Sequence, residues 1–238
     1  MNRGELFHNC ADCPSRRTTE WRALNADELA LVSQAKRTRA HEPGEALYHQ
    51  GDPGVGIYCI QSGLVGLRRT DENGNSSLLR LCAAGTTIGY QSYLSKEPHK
   101  NTAEVLTPTT ACFIERSLVS NLLSTNPRLG ERFLQHLLDD MSAIEDDYAR
   151  SLTLSVKSRF LHTLMVFYEK LGYRDENGQP IVELPIKRME LADLIGAQPA
   201  SISRLIRKVQ AEGMLKFNDR RVSITDMEAV LREMGAAL

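Results

Sequence analysis

Two thiols stand three residues apart in an otherwise polar stretch, Phe7-His8-Asn9-Cys10-Ala11-Asp12-Cys13. A polar tail has no packing use for paired cysteines, so the spacing points to thiol or metal chemistry. A redox dithiol needs Cys10 and Cys13 alone; a zinc site would add His8. The remaining cysteines, Cys59, Cys82 and Cys112, lie in short apolar runs. There a free cysteine behaves as a small hydrophobe, and all three read first as core.

A second chemistry sits toward the other end. Over 189–209 the apolar positions Leu191, Leu194, Ile195, Ile202, Leu205, Ile206 and Val209 suit two short helices packed across a turn at Gly196. That leaves Ser201, Ser203, Arg204, Arg207 and Lys208 on the outer face of the second helix. Short polar groups followed by cations are what a helix in the DNA major groove needs: the first reach base edges, the second hold phosphates. Residues 187–221 carry eight basic and four acidic side chains, a local +4 in a chain of net −1.

The elements that must position these groups follow from periodicity. Residues 21–37 read as a short helix with Leu24, Leu29, Leu31 and Val32 as its apolar positions. From 40 to 115, β-type runs alternate with Gly-rich turns, and Asn73–Gly74 marks a hairpin, which predicts a small antiparallel barrel or roll. No stretch there keeps a helical period, so a βαβ core is excluded. Residues 128–155 predict the longest helix. Leu134, Leu137, Met141, Ile144, Tyr148 and Leu152 recur as a heptad seam flanked by acids. A stripe this narrow fits a two-stranded coiled coil between subunits better than a broad core face. A helix over 156–171, the strand Ile-Val-Glu-Leu-Pro, the two short helices, a two-stranded wing turning at Asn218–Asp219 and a last helix over 226–234 complete the chain.

The fold class is therefore α+β: an N-terminal tail and β-roll over 1–127, a dimerisation helix over 128–155, and a winged helix-turn-helix over 156–238. The 238 residues are 42% hydrophobic and 25% charged, which is ordinary globular composition and excludes a disordered tail protein or a collagen. With Lys plus Arg at 29 and Asp plus Glu at 30, a uniformly basic coat is excluded too. No apolar run approaches the roughly 18 residues of a membrane span, and the start has no secretory h-region. A cytoplasmic, reducing location is expected, where the five cysteines stay free of disulfides. No nucleophile–base grouping or HExxH appears, and Gly51-Asp-Pro-Gly-Val-Gly56 lacks the Lys and helix of a phosphate loop, so no enzyme is expected. A redox or metal protein without a DNA role would leave the basic helix pair unexplained.

GEALYHQGDPGVGIYCIQSGLVGL (44–67) and LADLIGAQPASISRLIRKVQAEGML (191–215), with the long helix between them, resemble the cyclic-AMP receptor / fumarate–nitrate regulator superfamily of bacterial transcription factors over nearly the whole chain. The resemblance implies a homodimer on a palindromic double-stranded DNA site, contact with RNA polymerase, and an effector sensed in the N-terminal half. The superfamily's recognition pattern, Glu-x-x-Ser/Gly-Arg, falls on Ala200, Ser203 and Arg204. It implies that Arg204 takes a guanine through O6 and N7, worth roughly 1–3 kcal/mol of discrimination. Ser203 would meet base or phosphate. Ala200 has no carboxylate to accept from cytosine N4, though its methyl can meet a thymine methyl, so the half-site should depart from the usual sequence there.

For the effector, nucleotide-binding relatives use a Gly-Glu-Leu turn and an Arg-Ser/Thr pair. The matching stretches here are Gly89-Tyr90-Gln91 and Thr102-Ala103, which argues against a cyclic nucleotide. In the oxygen-sensing branch, N-terminal cysteines and one from the roll hold a [4Fe–4S] cluster. Cys10, Cys13 and Cys112 match three of those positions, and Thr19 stands at the fourth. Glu20, Asp12, His8 or an exogenous ligand would complete the set, or the cluster would keep three thiolates and one labile iron. Thiol redox, haem and a small organic ligand are the alternatives. Relatives that dissociate on cluster loss carry an acid in the dimer seam. The match here is the apolar Ile144, which implies a dimer that persists with or without effector.

Overall fold

The computed structural model describes residues 9–235 and divides into two compact units, 1–142 and 143–238. His8 lies outside the described residues.

The first unit opens with two 3-10 turns, Pro14–Arg17 and Glu20–Ala23, and helix α1, Ala26–Ala35. The continuous helix expected over 21–37 is thus broken, because Asn25 starts a new one. Its side chain accepts the Glu28 N–H at 3.0 Å and the Glu28 carboxylate accepts the Asn25 N–H at 2.8 Å, a reciprocal cap that holds Leu24 extended. The roll follows as β1 (Arg37–His41), β2 (Ala46–Tyr48), β3 (Gly56–Ser62), β4 (Leu64–Thr70), β5 (Ser76–Ala83) and β6 (Thr87–Ile88), helix α2 (Tyr90–Ser95), then β7 (Thr102–Val105) and β8 (Thr109–Glu115). They make two antiparallel sheets, β1-β8-β3-β6 and β2-β7-β4-β5. The Asn73–Gly74 turn closes β4 on β5. Asp71 Oδ1 accepts the N–H groups of Asn73 and Asn75 at 2.9 Å each, and Gly74 takes φ +84°. Helix α3, Arg116–Thr125, leads into the long α4, Pro127–Thr153, which continues past the unit boundary.

Period-two alternation along β3 and β8 sorts their side chains between two cores. Ile60 and Ala111 face a cluster with Leu47, Val65, Cys82 and Val105. Ile57 and Ile114, paired in register, face the other way into a cluster with Trp21, Val32, Leu129 and Phe133. Trp21 meets Phe133 edge-on at 5.8 Å, fastening the N-terminal segment to α4.

In the second unit, α5 (Val156–Leu171) is capped by Ser155 Oγ, which accepts the Ser158 N–H at 3.1 Å. Strands β9 (Tyr173–Arg174) and β10 (Pro180–Glu183), helices α6 (Arg188–Leu194) and α7 (Pro199–Ala211), strands β11 (Leu215–Asn218) and β12 (Arg221–Ile224) and helix α8 (Met227–Glu233) follow. The sheet order is β11-β12-β10-β9, and Asp219 takes φ +54° in the wing turn. Among the described residues no helix is long and apolar enough to cross a membrane.

Candidate functional site

Cys59 and Cys112 are cross-strand partners in the β3–β8 pair, on the same side of the sheet as Ile57 and Ile114. That side faces the N-terminal loop. The loop is held to α1 by the Cys10 N–H, which donates to Ser33 Oγ at 2.9 Å. The outcome is one cavity of about 40 Å³ whose walls include Cys10, Cys13, Cys59 and Cys112. Cys13 and Cys112 are buried, and Cys10 and Cys59 half-buried. Cys59 packs against the core of Trp21, Ile57 and Ile114, as its apolar run suggested, and also borders this cavity. Cys82 is core as well, at 1% exposure within the other cluster.

The cavity's electrostatics are those of a dry thiol site. Burial pushes the Cys112 thiol above its ordinary range, opposed by the Thr38 hydroxyl at 3.3 Å and the Lys36 ammonium at 3.7 Å. Burial pushes the Cys59 thiol up further, and the nearby Glu20 carboxylate adds to the effect. Reactive redox cysteines are exposed and lowered in pKa; these two are the reverse. Among the described residues no three His, Cys, Asp or Glu side chains sit close enough to hold a single metal ion.

Of the candidates for a fourth ligand, Asp12 is exposed. Thr19 is buried on the cavity wall, with its hydroxyl donating to the Arg16 carbonyl at 3.3 Å. Glu20 is 4% exposed, and among the described residues neither of its carboxylate oxygens has a hydrogen-bond partner.

A second hollow in the roll, about 30 Å³, is bordered by Arg80, Gly89, Tyr90 and Gln91. Its one guanidinium is engaged. Arg80 grips the Asp140 carboxylate of α4 with two donors, one at 2.6 Å, and the Tyr90 hydroxyl donates to the same group. Burial alone would raise the Asp140 carboxyl, but these bonds outweigh it and hold the group below the usual carboxylate range. The hollow's other cation, Lys100, pairs with Glu97 at 2.9 Å, so a cyclic phosphate would have to compete with a resident carboxylate at either cation.

In the helix-turn-helix, Leu191, Ile195, Ile202, Leu205, Ile206 and Val209 are buried, while Leu194 is half-buried. Ala200, Ser203, Arg204, Arg207 and Lys208 are exposed, and Ser201 is half-buried. Pro199 opens α7, so Ala200 and Ser201 stand at the positive end of its dipole, which favours phosphate. Glu212 takes Lys157 at 2.6 Å and also lies 3.9 Å from Lys208 on the basic face. Lys216, Arg220 and Arg221 are exposed on the wing.

On α4, Leu134, Met141, Ile144, Tyr148 and Leu152 are all 56–69% exposed. Leu137 differs: it packs against the unit's own core, and its neighbour Leu138 is exposed instead. The open stripe therefore runs 134, 138, 141, 144, 148, 152.

Residues 38–126 match the cyclic nucleotide-binding domain model, and residues 158–233 match the Crp-like helix-turn-helix domain model. The transcriptional activator protein FnrL of Cereibacter sphaeroides is 24% identical, across 97% of this chain and 93% of its own length. The fumarate and nitrate reduction regulatory protein of Vibrio cholerae is 22% identical, across 96% and 91%. The structure of FixK2 from Bradyrhizobium japonicum shares the fold with a TM-score of 0.72, at 17% identity over 85% of this chain and 99% of that one. With a roll, a long helix and a helix-turn-helix in that order, and relatives that match it nearly end to end, the chain belongs to the cyclic-AMP receptor / fumarate–nitrate regulator superfamily of DNA-binding transcription regulators.

Proposed function

We propose that this regulator senses a redox signal (oxygen, nitric oxide or a related oxidant) through a four-iron–four-sulfur cluster held by Cys10, Cys13 and Cys112. The observation that carries this reading is the shared cavity: a loop and a strand about a hundred residues apart in sequence bring these three thiols to one space. The relative named for fumarate and nitrate reduction supports a redox signal. A bound cluster supplies a redox-labile group whose state the chain can report.

The chain's own residues do the rest. Cys10 and Cys13 tie the N-terminal loop to the roll, and Trp21 links that segment to α4 through Phe133. The stripe on α4 joins two copies into a homodimer. The sensor spans 1–127, the dimer helix 128–155 and the DNA-binding domain 156–238, acting in the cytoplasm on a palindromic site and with RNA polymerase. Ala200, Ser201, Ser203 and Arg204 face base edges, while Arg207 and Lys208 hold phosphates.

Selection from a randomised palindromic library under nitrogen, followed by anisotropy titration before and after air, tests this. One enriched half-site is expected, with affinity changed at least tenfold by air. Arg204→Ala should lose roughly 1–3 kcal/mol of discrimination at one base pair. Binding that is equally tight on all sequences, or unmoved by air, would overturn the reading.

A further inference from the structure

We infer that Cys59 is the fourth thiolate of this site, in the role Thr19 does not fill. The inference rests on the cluster reading above and names the ligand which that reading leaves open.

The chain has five cysteines. Four of them line one cavity, and the fifth, Cys82, is buried in the opposite core of the roll. The strand register makes the pairing specific. Cys59 lies directly across from Cys112, so the two side chains leave the sheet on the same face, roughly 4.5–5.5 Å apart at Cβ. Cys10 and Cys13 reach the same cavity from the N-terminal loop. Two thiols from the sheet and two from a Cys-x-x-Cys loop form a complete thiolate set for a [4Fe–4S] cluster.

The surroundings suit an anionic centre. Four thiolates around such a cluster carry net negative charge, and an apolar cavity would disfavour it. Here the buried Lys36 ammonium stands 3.7 Å from Cys112 Sγ, and Arg16 borders the same space. The Thr87 hydroxyl donates to Cys59 Sγ at 3.7 Å, and the Thr38 hydroxyl lies 3.3 Å from Cys112 Sγ. Outer hydroxyls of this kind orient ligands. Glu20 is the rival: buried and unpartnered, it adjoins Cys59 but is not part of the cavity wall. Its oxygen is also the harder donor, whereas soft thiolates select iron–sulfur clusters.

The test is iron and sulfide content after anaerobic reconstitution of the full chain, for wild type, Cys59→Ala, Glu20→Gln and Cys82→Ala. Circular dichroism checks each fold. About four irons and four sulfides per chain are expected in wild type, Glu20→Gln and Cys82→Ala, with more than half of both lost in Cys59→Ala. A Cys59→Ala protein that keeps its full complement while Glu20→Gln loses it overturns the assignment and leaves the cluster reading standing. A wild type that takes up neither iron nor sulfide overturns both. If Cys59→Ala fails to fold, the Mössbauer spectrum of the loaded wild type decides. Four irons in sulfur-only coordination support Cys59, and one distinct iron with an oxygen or nitrogen ligand overturns it.

Discussion

Asp140 is the one buried acid on α4, and its place is set by partners rather than by packing. Arg80 from β5 and the hydroxyl of Tyr90 from α2 both bond it, so one carboxylate joins the long helix to the sheet that carries the roll's second core. Removing one member strands the other in a site of low dielectric. Asp140→Asn should cost about 3 kcal/mol, toward the lower end for a broken buried pair because Arg80 keeps some solvent contact. The pH dependence has a definite sign. The folded carboxyl is held below the ordinary Asp value of about 3.9, so the stabilisation is whole above that value and fades as pH falls through the lower folded one. His136 Nε2 stands 3.9 Å from Asp140, so protonating it between neutrality and about pH 5 adds to the pair. Thermal melts should show a gap between wild type and Asp140→Asn at about pH 5 that closes below about pH 4. A gap that stays open or widens below about pH 4 would refute this. Local spacing made Arg204 legible, since one amphipathic helix decides which residues face outward. Cys59 was not legible. Its apolar neighbours describe a core strand equally well, and only its pairing with Cys112, 53 positions away, shows which core it faces.

At the level of elements, α4 carries an apolar stripe that the described chain leaves open. Burying Ile144 and its neighbours against a second copy is worth roughly 1.5–3 kcal/mol per large side chain. With no acid at position 144 to set like charges against each other, the dimer should hold whether or not the sensor is loaded. Sedimentation at low micromolar concentration should give a dimer in both states. Ile144→Asp should give a monomer with an unchanged circular dichroism spectrum. A monomeric unloaded wild type would contradict the account. The heptad spacing of 134, 141 and 148 located this face, but periodicity alone cannot separate 137 from 138. The roll decides, by taking Leu137 into its own core. The break at Asn25 was missed for a similar reason: apolar spacing runs on through Leu24, while the cap that stops it depends on one side-chain bond. Strand existence and turns were readable from alternation and from Asn73–Gly74. Which strand pairs with which was not, because β1-β8-β3-β6 joins segments far apart in the chain.

Across the whole molecule, a net charge of −1 conceals a basic end. The affinity for DNA should therefore fall steeply with salt, and Arg207→Ala should weaken all sequences alike while reducing the logarithmic salt slope by about 1 per subunit. A sequence-dependent loss at that position would assign it to base reading instead. In the roll, Arg80 borders the hollow of Gly89, Tyr90 and Gln91 and bonds Asp140, while four of the five cysteines line the cavity on the other side of β3 and β8. The gathered set is the proposed cluster site. Its most direct test is iron, acid-labile sulfide and visible absorption on protein purified without oxygen. About four irons and four sulfides per chain are expected, with a broad band near 400 nm that bleaches in air. Colourless, iron-free protein that still binds its DNA site tightly would contradict it.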